Sequence, residues 1–191
     1  LIGSFLNVVI FRLPRIIEED WKLQAKDILG LTETLEPSQN PGKFNLMTPR
    51  SRCGSCGHVL RWYENIPLIS FLVLRGRCSA CNAAISLRYP VIELTSALIA
   101  AYCALRWGIT PAGILWYALL VSLLVLALID WDTTLLPDSL TIPLLWLGII
   151  SAAARWTHVP VENAVWGSVF GYLSLWLVYW AFKLMTGKEG M

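Results

Sequence analysis

PAGILWYALLVSLLVLALI, residues 111–129, decides the fold of this chain: nineteen residues without a charged side chain, near the length a helix needs to cross a bilayer core of about 30 Å. Further apolar runs lie at 91–107, 139–154 and 163–184. Residues 1–11 read as the last turns of another helix, closed abruptly by Arg12-Leu13-Pro14. Together these make about five spans, the first incomplete, and predict an all-α polytopic membrane helical bundle. Composition points the same way. A hydrophobic share of 56%, a mean hydropathy of +0.59, ten Trp and only 15% charged residues lie outside the range of ordinary soluble domains. The Trp fit interfacial belts or bundle packing. No basic start with a cleavable leader is present, which supports reading the chain as an excerpt of a longer protein.

The spans are interrupted once, by a polar insert over residues 12–89. Eleven of the fifteen Lys and Arg fall there against seven acids, leaving it four positive. Its basic residues predict a cytoplasmic insert. Alternation then places the turn at Gly108–Pro111 and the loop Arg155–Glu162 outside, with Asp130, Asp132, Asp138 and the C-terminal residues inside. Within the insert, residues 16–43 carry mixed charge with Pro37, Pro41 and Gly42, and read as a linker with at most a short amphipathic helix. The remainder, about 49–88, reads as a zinc-ribbon-like knuckle, followed by the bundle proper from 90 to 191.

The knuckle is defined by two CxxC pairs, Cys53/Cys56 and Cys78/Cys81. Each pair can present two thiolates to one ion, and the intervening segment can fold back to close a tetrahedral Zn²⁺ site. Gly54, Gly57 and Gly76 would supply permissive backbone at the turns. Two disulfides are the alternative, disfavoured by the strain of a CxxC bridge and the reducing cytoplasm. His58 could replace one cysteine, although four thiolates suffice. Cys103, in an apolar helix, is expected to pack. So small an insert can scarcely bury a core without the metal, and is expected to fold only with it.

The second chemical feature is LIDWDTTLLPD, residues 128–138. A carboxylate at the end of a span is costly unless it meets water, a partner or a substrate. Asp130 directly follows the apolar run, where burial beside a span favours function. Asp132 lies about 200° further round a helix, so at most one of the two faces the bundle. Asp138 is expected to cap the helix beginning at Ser139.

Four motifs carry a family resemblance. Gly3-Ser4-Phe5-Leu6-Asn7-Val8-Val9-Ile10 with Arg12-Leu13-Pro14, the paired CxxC, Tyr89-Pro90-x-x-Glu93, and Asp130 followed after six residues by Pro137-Asp138 run in order along nearly the whole chain. In this the chain resembles the type IV prepilin peptidases, also called prepilin leader peptidase/N-methyltransferases. The resemblance implies a multi-pass aspartic protease of the GxGD class in the bacterial inner membrane. Its substrates would be type IV prepilins or type II secretion pseudopilins, whose basic leader it removes at the cytoplasmic face. It would then methylate the new N-terminus with S-adenosylmethionine. Membrane lipid is its expected surroundings, and nucleic acid is not an expected partner. The first catalytic aspartate falls on Asp130. No Gly-x-Gly-Asp occurs in the chain, so the second is expected beyond Met191, and the chain as it stands is expected to be inactive as a peptidase. Glu93 and the segment from Gly3 to Asn7 are linked by the resemblance with methyl transfer or structural integrity. Glu93 could instead be an interfacial carboxylate balancing Arg88. No glycine-rich strand-to-helix loop for the methyl donor is visible. A non-enzymatic membrane adaptor built around the knuckle, and a transporter or channel using intramembrane carboxylates, are the rival classes. Neither accounts for the motif from Asp130 to Pro137.

Overall fold

The computed structural model describes residues 2–30, 45–48, 50–60 and 67–187, with the backbone alone at 67–69. Residues 31–44, with Pro37, Pro41 and Gly42 of the stretch expected to be a linker, lie outside the described residues, as do Pro49, residues 61–66 and the last four residues. Among the described residues, six helices follow one another: α1 (Ile2–Ile28), α2 (Pro67–Val73), α3 (Arg88–Trp107), α4 (Pro111–Thr133), α5 (Asp138–Ala153) and α6 (Val161–Thr186). Among the described residues, β structure is limited to two isolated bridges, Arg52 with Val59 and Arg77 with Ala84.

The core lies where α1, α3 and α4 meet. Leu6, Val9 and Ile10 of α1 pack with Ile92 of α3 and with Val121, Val125 and Ile129 of α4. The four-residue spacing in α4 puts its three on one face, and Ile129 is fully enclosed. Cys103 is also buried, as expected of a packing residue.

Two small residues allow the close approaches. A Cβ on Gly3 would lie 2.7 Å from both Cα and Cγ of Glu93, so α1 and α3 touch backbone to backbone there. Gly113 is equally confined, with a Cβ falling 2.4 Å from the Gly108 carbonyl oxygen at the α3–α4 turn. That turn is closed by Thr110, whose Oγ1 accepts from the Gly113 N–H at 3.2 Å, with Pro111 at the first helical position. Gly3→Ala should therefore force α1 off α3. In the full-length protein in detergent we expect a destabilisation of about 1–3 kcal/mol, read as a lowered melting temperature; an unchanged melt would refute the close approach.

The helix expected to stop at Phe11 continues to Ile28, with Pro14 inside it. Proline removes one helical hydrogen bond and crowds the carbonyl four residues before it, at a cost of roughly 3 kcal/mol. Contacts both along the helix and from the 45–48 segment act against that cost. Arg12 is buried and its Nη1 donates to the Asn45 carbonyl at 2.9 Å, tying the 45–48 turn to α1. The Arg15 guanidinium lies 3.9 Å from the centre of the Phe11 ring, and Lys22 pairs with Glu18 one turn away. Two residues past the end of the helix at Ile28, the chain turns away at Gly30, which takes φ 65°.

At its other end α4 outlasts the apolar run by one turn, so Asp130 and Asp132 lie inside the helix. Its stop is Thr134, in the left-handed region at φ 54°, with its N–H on the Asp130 carbonyl at 2.8 Å. Asp138 does not cap α5: Pro137 holds the N-cap position, no side chain caps, and Asp138 is the first helical residue. There its charge still complements the helix dipole.

By length and composition, α4 and α6 could cross a membrane, and α5 is apolar but shorter. Five spans were expected. The difference comes from α1, whose apolar part is brief before its charges begin, and from α3, which carries Arg88, Glu93 and Arg106. No residue of α6 is buried, and Trp166, Phe170, Leu175 and Trp176 all stand exposed along it.

Candidate active site and metal centre

The two CxxC turns are copies of one local structure, 25 residues apart. In the first, the Cys53 N–H donates to the His58 carbonyl (2.8 Å), Gly57 N–H to Cys53 (2.9 Å) and Leu60 N–H to Ser51 (2.9 Å). The second repeats all three at the same offsets: Cys78 to Ala83 (2.9 Å), Asn82 to Cys78 (3.0 Å) and Ile85 to Gly76 (2.8 Å). After the second cysteine of each pair the chain must turn left-handed, and Gly57 (φ 72°) and Asn82 (φ 57°) occupy that position. Gly76 also takes positive φ, whereas Gly54, expected to share that role, does not. The sequence signal for this duplication is plain in hindsight: Arg-Cys-x-x-Cys recurs at Arg52 and Arg77.

Cys53, Cys56, Cys78 and Cys81 bring their sulfurs within 4.8 Å of one another. The Cys53 and Cys81 Sγ atoms are 3.9 Å apart, close to the roughly 3.8 Å edge of a thiolate tetrahedron with about 2.3 Å zinc–sulfur bonds. All the cysteines are unbridged, so the disulfide alternative is not the arrangement found. The charges also call for a cation. Backbone N–H groups of Ser55 and Cys56 pull the Cys53 thiol down to about 6. At Cys56 the His58 N–H acts in the same sense, but the Cys81 sulfur, desolvation and the Cys53 and Cys78 sulfurs together win and push it up to about 12. One thiolate forms readily and its neighbour resists, which is the condition a bound metal ion relieves.

The carboxylates gather at the end of the bundle where α3 begins and α4 ends. Asp130 follows the enclosed Ile129 by one residue, turns about 100° away from it and is exposed. The burial expected for it is not what the structure shows, because α1 and α3 cover the opposite face of α4. Asp132 is the one that turns to the bundle. Its carboxylate takes a two-pronged contact from Arg88, Nη2 to Oδ2 at 2.6 Å and Nη1 to Oδ1 at 2.9 Å. Sequence reasoning missed this pair. Its signal was the hairpin itself, since Arg88 and Asp132 lie at nearly equal distances from the turn at 108–110.

Glu93 is not Arg88's counterion. It is 5% exposed and accepts a hydrogen bond from the Ser4 hydroxyl at Oε1. Beside it the Asn7 Nδ2 donates to the Gly3 carbonyl (3.2 Å) and across to the Tyr89 carbonyl (3.3 Å). Thus the first motif docks on the Tyr89-Pro90-x-x-Glu93 segment, and the two form one buried polar joint.

A family model for the bacterial peptidase A24 N-terminal domain matches residues 1–107, and one for the type IV leader peptidase family matches residues 117–191. The chain is 50% identical over 191 residues to the prepilin leader peptidase/N-methyltransferase of Pseudomonas aeruginosa, 51% over 192 residues to that of Stutzerimonas stutzeri, and 46% over 194 residues to that of Neisseria gonorrhoeae. Each comparison takes in 100% of this chain and 64%, 64% and 65% of the respective relative, so the chain spans just under two thirds of their length. No solved structure matches it.

Proposed function

Since the chain belongs to the bacterial type IV leader peptidase family, we propose that it carries one catalytic carboxyl, Asp130, of an aspartic prepilin peptidase that is also an N-methyltransferase. Asp130 supports this most directly: it is an exposed carboxylate in the last turn of a helix with no charge between 111 and 129. The substrates are type IV prepilins or type II secretion pseudopilins, whose apolar helix lies in the bilayer and whose basic leader lies in the cytoplasm. A bond between leader and helix meets the enzyme at the membrane face.

The inner membrane is the site of action, with α4, α6 and their neighbours crossing it. The large apolar side chains exposed on α6 support this, since a water-facing surface rarely tolerates so continuous an apolar patch. Excess basic charge in the insert supports a cytoplasmic knuckle, and the Arg88 to Asp132 contact keeps Asp130 on that same side.

Hydrolysis by this class needs a second carboxyl facing Asp130. One is ionised and takes a proton from water as the oxygen adds to the scissile carbonyl; the neutral one hydrogen-bonds that carbonyl and then protonates the leaving nitrogen. Two close carboxyls in a low-dielectric site share one proton, which supplies both forms at once. No Gly-x-Gly-Asp occurs in these 191 residues. The 191-residue chain alone is therefore expected to leave a prepilin uncut, and Asp130-dependent cleavage by it would overturn the two-aspartate account.

The four thiols fit Zn²⁺, which would supply a structural closure of the knuckle. S-adenosylmethionine as methyl donor follows from the family. Among the described residues Glu93 does not fit a donor site, being enclosed and already bonded to Ser4. We assign it to docking α1 on α3, and place no step of methyl transfer on it. The test of the peptidase reading is leader removal by the full-length enzyme, wild type against Asp130→Asn.

A further inference from the structure

Arg88 and Asp132 stand where helix electrostatics disfavours them. Arg88 is the first residue of α3, at the positive end of its dipole, and Asp132 lies in the last turn of α4, at the negative end. α3 has no acid in its first turn and α4 no base in its last. Both side chains are partly exposed, 40% and 33%, so solvent screens their attraction and the pair adds little to stability. A contact that opposes two dipoles and yields little stability is best explained by what it holds in place.

What it holds is the last turn of α4. We propose that Arg88 and Asp132 are positioning residues for leader cleavage: the forked contact fixes that turn against the first turn of α3 and so sets where Asp130 stands. Asp132 is two residues from Asp130, and a two-pronged contact leaves the turn little freedom to rotate. The same turn is closed from the other side by Thr134, whose N–H binds the Asp130 carbonyl while the residue holds a conformation unusual for a β-branched side chain. Arg88 in turn follows directly on the second knuckle: its own N–H donates to Ser86 Oγ at 3.3 Å, one residue past the Ile85 that closes the knuckle.

The proposal rests on the reading of Asp130 as a catalytic carboxyl, and the experiment separates the two. In the full-length enzyme in liposomes with a prepilin substrate, kcat and KM would be measured for Arg88→Lys, Asp132→Asn, the double Arg88→Lys/Asp132→Asn, Arg88→Asp, the swap Arg88→Asp/Asp132→Arg, and Asp130→Asn. We expect each single clamp variant to lower kcat by about ten- to a hundredfold, with KM within twofold and zinc content unchanged. The double should be no worse than either single. The swap places both charges favourably for the dipoles, and should restore at least tenfold over Arg88→Asp. Wild-type kcat in the single variants, additive losses, a change in KM alone, or an inactive swap that melts like wild type would overturn the clamp. Where a single variant fails to fold, the swap decides. Cleavage by Asp130→Asn equal to wild type would instead overturn the reading of Asp130 itself.

Discussion

Asp130→Asn in the full-length enzyme is expected to reduce leader cleavage by on the order of 10⁴-fold, the scale on which removing one member of a catalytic unit acts. Asparagine keeps the shape of the side chain and its hydrogen-bonding reach, but it can neither take a proton from water nor share one with a second carboxyl. The structural cost should be small, because Asp130 is exposed and its backbone carbonyl, which the Thr134 N–H occupies, survives the change. Activity and stability are thus separable here. The check is a cleavage time course alongside a melting curve and a zinc assay: activity lost with melt and metal intact places the reaction at Asp130, and undiminished cleavage removes it from the mechanism. Arg88→Lys should fall far short of this loss, since it misplaces the carboxylate without removing it.

Removing zinc from the knuckle is expected to abolish hydrogen-exchange protection across residues 51–60 and 76–85, with protection in the α1–α3–α4 core largely retained. Each CxxC turn is held by three backbone hydrogen bonds of its own, and an isolated two-stranded turn is marginal in water. Only Cys78 of the four clustered cysteines is buried, so the knuckle has little apolar core to hold it without a metal. Protection unchanged after complete chelation would refute metal-dependent folding. The pH dependence has a definite sign. Zinc binds thiolates, so every proton still on sulfur must leave as it binds. Cys56, raised to about 12, holds its proton at neutral pH and releases it on binding; Cys53, lowered to about 6, has already lost its own. Affinity should therefore fall as pH falls, by roughly tenfold per unit for each proton displaced, and more steeply below about pH 6, where Cys53 also takes up a proton. Competition with a chromophoric chelator between pH 5 and 8 measures this, and a flat profile would contradict it.

Short-range features were legible in the sequence. The uninterrupted apolar run at 111–129 became α4, and each CxxC pair formed its own turn, because each turn is decided within about ten residues. Features were lost where distant segments act on one another. Ser4 meets Glu93 across 89 residues and Arg88 meets Asp132 across 44, and neither partner carries a local mark of the other. The stop expected at Pro14 failed for a related reason. The contacts that keep α1 helical include Arg12 bound to Asn45, which no local rule about proline includes. Asp138 was assigned as a cap on residue type, yet Pro137, with its fixed φ, already held that position. The spans were less legible where a short apolar run gives way to charge, as in α1, or carries charge within it, as in α3; among the described residues α4 and α6 alone are both long and apolar enough to cross.

The duplicated turns give assembly of the knuckle a fast local stage. Every hydrogen bond within a turn joins residues no more than nine apart, and loops of that length close in tens of nanoseconds. Joining the two turns means closing a loop roughly three times longer. If Zn²⁺ closes the knuckle, each turn would be sampled many times before the two are joined, so that joining, and not the turns themselves, would be the slow stage.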